Sequence, residues 1–178
     1  MRKVVLAEFL SLDGVAEEPR SFVTEWDEDV DAFGAELIST QDAVVLGRRS
    51  YDEWAEFWPD SPIQPFADFI NRVPKFVATS SALDRPWANS TAIEGDPSAF
   101  VRELKAADGG DIGVHGSISL ARSLLRDGVV DELRLAIAPQ VAARGRRLLD
   151  EVVEAKLENV RTTVSPTGYL LAVYRVVP

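Results

Sequence analysis

The sequence predicts an α/β domain in three layers, with a mostly parallel sheet covered by helices on both faces and closed by a C-terminal antiparallel hairpin. Three observations carry that reading. Short apolar, β-branched runs alternate along the chain with segments of helical periodicity, the pattern of repeated β-α units. Several of those runs, such as "AVVLG" at 43–47, are continuously apolar, as strands buried on both faces are. The tail "KLENVRTTVSPTGYLLAVYRVV" divides into two strands about a turn at Ser165–Gly168.

The elements follow in order. "RKVVLAEFL" (2–10) reads as the first strand, stopped by the turn-like "SLDG" (11–14). "DEDVDAFGAELIST" (27–40) places Val30, Phe33, Leu37 and Ile38 on one helical face, with acids gathered at the start. The acidic start resembles a calcium loop only superficially: Ala32 stands where the loop needs glycine and Ile38 where it needs glutamate. "PKFVATSS" (74–81) is a further strand. In "DPSAFVRELKAADGG" (96–110), Asp96 is the N-cap, Pro97 the first helical residue, Phe100, Val101 and Leu104 the buried face and Gly109 the stop. "DIGVHGS" (111–117) is a strand opening into the helix "ISLARSLLRDG", ended by Gly128, and "DELRLAIAP" (131–139) alternates as a strand does. No linker, composition break or internal repeat interrupts residues 1–178, so one domain is expected.

Composition removes whole classes of function. The 178 residues include no cysteine, which excludes disulfides, thiolate catalysis and cysteine metal sites, and fits a reducing cytoplasm. The one histidine, His115, cannot build a histidine-rich metal site, and no metal is expected. A formal charge of −10 argues against nucleic-acid or anionic-membrane partners, and no apolar run is long enough to span a bilayer. The Rossmann and P-loop glycine motifs and the G-x-S-x-G elbow are missing.

What remains is a series of polar strand ends: "SLDG", "GRRS", "TSS" and "HGS". Open parallel sheets bind ligands at these ends, where small residues and helix N-termini admit phosphates. Alone, the Arg48–Arg49 pair reads as a solvated helix start, "TSS" as a loop and Asp13 as a turn former that bonds its own backbone. Together they read as a cradle for an anion that an otherwise acidic chain could not hold. Trp26, Trp54 and Trp58 are either core residues or the walls of a flat-ring pocket.

The ordered set "SLDGV", "VVLGRRSYDEW", "KFVATSS", "DIGVHGSISLARSLL" and "GVVDELRLAIAP…RGRRLL" resembles the dihydrofolate reductase superfamily over roughly residues 2–177. Within it the chain is most similar to stand-alone relatives of the riboflavin-biosynthesis reductase domain. The resemblance implies a dihydrofolate reductase-like fold, a homodimer and an NADPH-dependent reductase of a small pteridine- or pyrimidine-like substrate. It implies further that Gly47, Arg48, Arg49 and Ser50 hold cofactor phosphates and the adenosine side, with Ser80 and Ser81 around the 2′-phosphate. Gly116, Ser117 and Leu120 would line the pyrophosphate turn, with Ala7 and Asp13 near the nicotinamide. Asp31, on the first helix, matches the position of the folate branch's substrate-binding acid, although a solvated acid at a helix start is the plainer reading. The chain departs from the riboflavin branch at "VHGS", where that branch keeps V-E-G-G, and at "PQVAARGRRLL". A true dihydrofolate reductase and a nucleotide-binding sensor without turnover are the other readings of this pattern.

Overall fold

A computed structural model describes residues 2–152 and 154–177. Strand β1 (Val4–Leu10) leads through α1 (Glu28–Ser39) to β2 (Gln41–Gly47), then α2 (Arg48–Phe57), α3 (Phe66–Arg72), β3 (Lys75–Ala78) and β4 (Ser90–Ile93). Helix α4 (Pro97–Ala106), β5 (Asp111–His115), α5 (Ile118–Arg126) and β6 (Glu132–Ile137) follow, and β7 (Lys156–Val164) and β8 (Leu170–Val177) close the chain. The eight strands form one sheet in the order β4-β3-β2-β5-β1-β6-β8-β7. Strands β4 through β6 are mutually parallel, while β8 runs antiparallel to both β6 and β7. The result is the expected three-layer, mostly parallel α/β domain with its C-terminal antiparallel hairpin.

The layers follow from connection handedness. The crossovers β1→β2 and β2→β3 step one way across the sheet, whereas β4→β5 and β5→β6 step the other way. Right-handed crossovers in opposite directions must place their helices on opposite faces. Accordingly Leu37 and Ile38 of α1, Tyr51 of α2 and Ile70 of α3 pack with Val5, Val44 and Leu46 on one face. Val101 of α4 and Leu120, Ala121 and Leu124 of α5 pack with Val4, Leu6 and Val45 on the other. Between them Ala43–Leu46 is fully enclosed, as its unbroken apolar run predicts.

The helix signals hold where they are chemical. Asp27 caps α1, accepting from the amides of Asp29 and Val30 at 3.0 Å, and also receives the Thr167 amide at 2.9 Å, which docks α1 on the β7–β8 turn. Asp96 caps α4 through the Ala99 amide at 2.8 Å, with Pro97 in the first turn. The turn at 165–168 closes with the Gly168 amide on the Ser165 carbonyl, 2.9 Å, Gly168 taking a φ of 92°. Helix α4 stops at Ala106, short of Gly109. Strand β3 stops at Ala78, because the Thr79 hydroxyl turns back to the Ser81 amide (3.2 Å) and bends "TSS" out of the sheet.

Three elements carry no readable sequence period. Helix α2 fully buries only Tyr51, since Trp54 is half-buried between the core and a cavity and Phe57 is exposed on the cavity wall. Helix α3 has seven residues and the edge strand β4 only four, of which Ile93 alone is buried, both too short for a periodic pattern to declare itself.

Candidate functional site

Strand β5 is flanked by β2 and β1, whose connections leave toward the opposite face from its own. Neighbouring strands whose chains depart to opposite sides open a crevice beyond their carboxyl ends. The register deepens it. Strand β5 ends with His115 opposite Ala7, while β1 runs on to Leu10, paired only with β6 on its other side. A cavity of about 1330 Å³ occupies this gap.

Two helix N-termini converge on it. The β2–α2 and β5–α5 turns are locked together by the Gly47 amide, which donates to Ser117 Oγ at 2.9 Å. Gly116 and Ser117 are both left-handed, with φ of 57° and 62°, so the chain turns sharply into α5. A Cβ on Gly116 would lie 3.5 Å from Trp54 and 3.6 Å from the Ser50 hydroxyl, which shows how closely α2 approaches this turn. Neither α2 nor α5 has a side-chain cap, so their first-turn amides are left for a ligand.

The two arginines are not free charges. Arg48 Nε meets both oxygens of Asp52 at 2.8–2.9 Å, its Nη1 donates to Ser81 Oγ at 2.7 Å and to the Ala82 carbonyl at 2.8 Å, and its Nη2 pairs with Asp84. Arg49 pairs with Glu53 at 3.0 Å and with Glu17 at 3.4 Å. Asp84 is 76% exposed, so an anion reaching Arg48 can exchange with it at small cost.

Aromatic rings line the other end. Trp54, Trp58 and Phe66 contact one another edge-on or tilted at centroid distances of 4.7–5.9 Å, and Phe66 meets the His115 ring at 5.5 Å. Trp26 leans on Phe9 at 5.4 Å and donates through Nε1 to Asp31 at 2.6 Å. His115 Nε2 lies 2.8 Å from Gln41 Oε1, which suits a neutral ring donating from Nε2, and burial lowers its pKa to about 4.

Of the residues singled out in the sequence, Ala7, Asp31, Gly47, Arg48, Arg49, Ser50, Gly116, Ser117 and Leu120 line this cavity. Ser81 stands behind Arg48, while Ser80 is exposed and lies outside the lining. Asp13 is also outside it. Its carboxylate accepts from the Ser11 hydroxyl (2.7 Å) and the amides of Ala142 (2.9 Å) and Ala143 (3.0 Å), and these bonds, the Ser11 one foremost, hold its pKa below the usual carboxylate range. It thereby ties the 139–147 segment to the 11–17 turn, where Arg146 and Glu17 pair at 2.8 Å on the cavity wall. Glu8, Phe57, Phe66 and Arg146 belong to the lining without having been singled out as site residues. Their signal was available only as neighbours of the strand ends.

A family model described as the RibD C-terminal domain matches residues 2–171. The chain belongs to the RibD C-terminal domain family. As a member of that reductase-domain family it is 28% identical to the uncharacterized protein YyaP of Bacillus subtilis (strain 168), over 97% of this chain and 94% of that one. Two solved structures share the RibD-type fold at lower identity. One is a diaminohydroxyphosphoribosylaminopyrimidine deaminase/5-amino-6-(5-phosphoribosylamino)uracil reductase from Thermotoga maritima, with TM-score 0.71, 16% identity and coverage of 99% of this chain and 57% of that one. The other is a dihydrofolate reductase from Enterococcus faecalis complexed with NADP(H) and RAB-propyl, with TM-score 0.63, 14% identity and coverage of 98% and 94%.

Proposed function

We propose that the chain is an NADPH-dependent reductase of a small pteridine- or pyrimidine-like molecule. The observation that carries the reading is the convergence of two uncapped helix N-termini, joined by the Gly47–Ser117 bond, on one large cavity whose far wall is aromatic. Such a cavity suits a ligand with an anionic middle and flat rings at its ends.

In this reading the first-turn amides at Arg48–Ser50 and Ser117–Leu120 hold the pyrophosphate, with Gly47 and Gly116 admitting it close to the backbone. Arg48 releases Asp84 to take the 2′-phosphate, with Ser81, Arg49 and the nearby Ser80 around it. A bound NADPH would supply the hydride, with Ala7 lining the nicotinamide end of its site. Trp54, Trp58 and Phe66 stack the substrate ring, Asp31 hydrogen-bonds it, and Asp13 positions the loop that closes the wall. The Thermotoga and Enterococcus neighbours, whose names speak of a reductase and of NADP(H), support the same assignment.

The reading extends to a cytoplasmic homodimer of this single domain. The edge strand β7 supports the dimer, since all nine of its residues are exposed, Leu157, Val160 and Val164 among them. Light scattering on the purified chain tests it: a monomeric mass removes the dimer.

The function is tested by quenching of tryptophan fluorescence with NADPH and NADH, followed by NADPH oxidation with a panel of pteridines, folates and ribosylaminopyrimidines. Tighter NADPH binding and turnover of a pteridine or pyrimidine are expected. Turnover of dihydrofolate alone makes the chain a dihydrofolate reductase, and binding without any turnover makes it a nucleotide-binding protein.

A further inference from the structure

Reduction needs a proton as well as a hydride, and the groups discussed so far do not supply one. Asp13 is an acceptor held by three donors, Asp31 is an exposed acid bonded to Trp26, and His115 is buried and neutral. Of the other acids on the cavity wall, Glu17 pairs with Arg49 and Arg146, Glu53 with Arg49 and Glu56 with Arg85, and Glu18 is exposed, which leaves Glu8. Glu8 lies on β1, one residue past Ala7, where β5 has already ended and the strand has lost its neighbour on that side. Its side chain is half-buried, and its Oε1 is sealed from solvent with no hydrogen-bond partner among the described residues. A buried acceptor left unmatched inside a ligand cavity is costly unless a ligand or a proton satisfies it.

Resting on the reductase reading above, we propose that Glu8 is the proton donor of the reaction. The hydride of the reduced nicotinamide adds to the carbon of a C=N or C=O bond, whose π pair moves to the heteroatom. The Glu8 O–H bond breaks toward that heteroatom, leaving a carboxylate, the reduced substrate and the oxidised cofactor, and solvent returns the proton to Glu8.

The surroundings keep the donor protonated. Strand alternation turns Glu8 to the face of Leu6 and Leu10, against Ile118 and Leu120 of α5 and beside Leu135 of β6. The charged residues of β6, Glu132 and Arg134, pair with each other, their side chains sharing the opposite face with Ala7 and His115. On Glu8's own side, Arg122 of α5 is directed to the Leu148 and Arg147 carbonyls and to Asp150 and Glu151, Lys105 of α4 pairs with Asp131 at the far end of the sheet, and Arg146 pairs with Glu17. With no cation paired to it among the described residues, burial pushes the Glu8 carboxyl up to about 8, where a general acid at neutral pH is effective.

The test compares wild type, E8Q and E8D. Glutamine has the shape of a protonated glutamate and should fold, which a thermal melt at pH 6 checks. With the substrate that wild type reduces, kcat should fall as pH rises through about 8. E8Q should lose roughly 100-fold or more in kcat, keep NADPH binding within about twofold, and lose that pH limb, and E8D should restore part of both. Independently of turnover, the Glu8 side-chain carbon in ¹³C-glutamate-labelled protein, identified by its absence from E8Q, should titrate near 8. Wild-type turnover in E8Q, or a Glu8 carbon titrating in the ordinary carboxylate range, overturns the donor role and leaves the reductase reading intact. Absence of NADPH oxidation by wild type across the substrate panel removes the reductase reading, and the donor role with it.

Discussion

The Gly47 amide donates to Ser117 Oγ across 2.9 Å, and this one bond joins two turns that lie 70 residues apart in sequence. It fixes the angle between α2 and α5, and therefore the distance between the two sets of free amides that face the cavity.

Removal of that hydroxyl should loosen the pair. S117A leaves the Gly47 amide without its acceptor and keeps a Cβ in a left-handed backbone, so NADPH binding should weaken roughly tenfold. S117G removes the same hydroxyl but suits the φ of 62°. Its binding loss should match that of S117A while its melting temperature stays higher. Fluorescence quenching and a thermal melt on both variants check the separation.

Arg48 stands between two demands. Asp84 occupies one side of its guanidinium from the solvent side, and a cofactor phosphate would compete for the same donors. D84A should therefore raise affinity for NADPH by roughly two- to fivefold while leaving NADH unchanged, a difference of the size that exposed ion pairs carry. R48A should abolish the preference between the two cofactors. Parallel titrations with NADPH and NADH decide it, and equal gains for both in D84A would place the 2′-phosphate elsewhere.

Much of the frame was legible because its signals are local. Asp27 and Asp96 cap the helices they precede, Gly128 and Gly168 sit at positive φ where the chain must turn, and the β2 apolar run is buried on both faces. Helix α2 was not legible, because its large apolar residues Trp54 and Phe57 line a cavity and its polar face is held by Arg48–Asp52 and Arg49–Glu53 pairs one turn apart. Arg48 and Arg49 were placed at the right strand end, but their four carboxylate partners come from α2 itself and from residues 17 and 84, which no local pattern announces. Glu8 reads in sequence as one polar residue in a strand. Only the early end of β5 makes it a cavity residue.

The Asp13 carboxylate should behave as a loop anchor. Its folded pKa is lowered by the Ser11 hydroxyl and then by the Ala142 and Ala143 amides, so its stabilising effect is present above the unfolded value near 3.8 and is lost as pH falls through and below it. D13A should speed hydrogen exchange at the Ala142 and Ala143 amides and lower the melting temperature at pH 7, with the gap to wild type closing at strongly acid pH. Unchanged exchange at those two amides would show that the 139–147 segment is held by its other bonds.

His115 and Gln41 meet directly over Gly113, where a Cβ would come within 2.1 Å of Gln41 Oε1 and 2.6 Å of His115 Nε2. G113A must therefore push the pair apart in the middle of β5, at a cost of roughly 1–3 kcal/mol. The same pair sets an acid limit. His115 is buried with a folded pKa of about 4 against an ordinary 6.5. Between those values the unfolded chain binds a proton that the folded chain refuses, so stability falls as pH drops through that window, by on the order of 3 kcal/mol in all. H115N carries no titrating ring and should lack this slope, with only the carboxylate effects setting in lower down. Urea unfolding of wild type and H115N at pH 7, 5.5 and 4.5 reads the difference. A wild-type slope that persists in the variant would mean that another group refuses the proton.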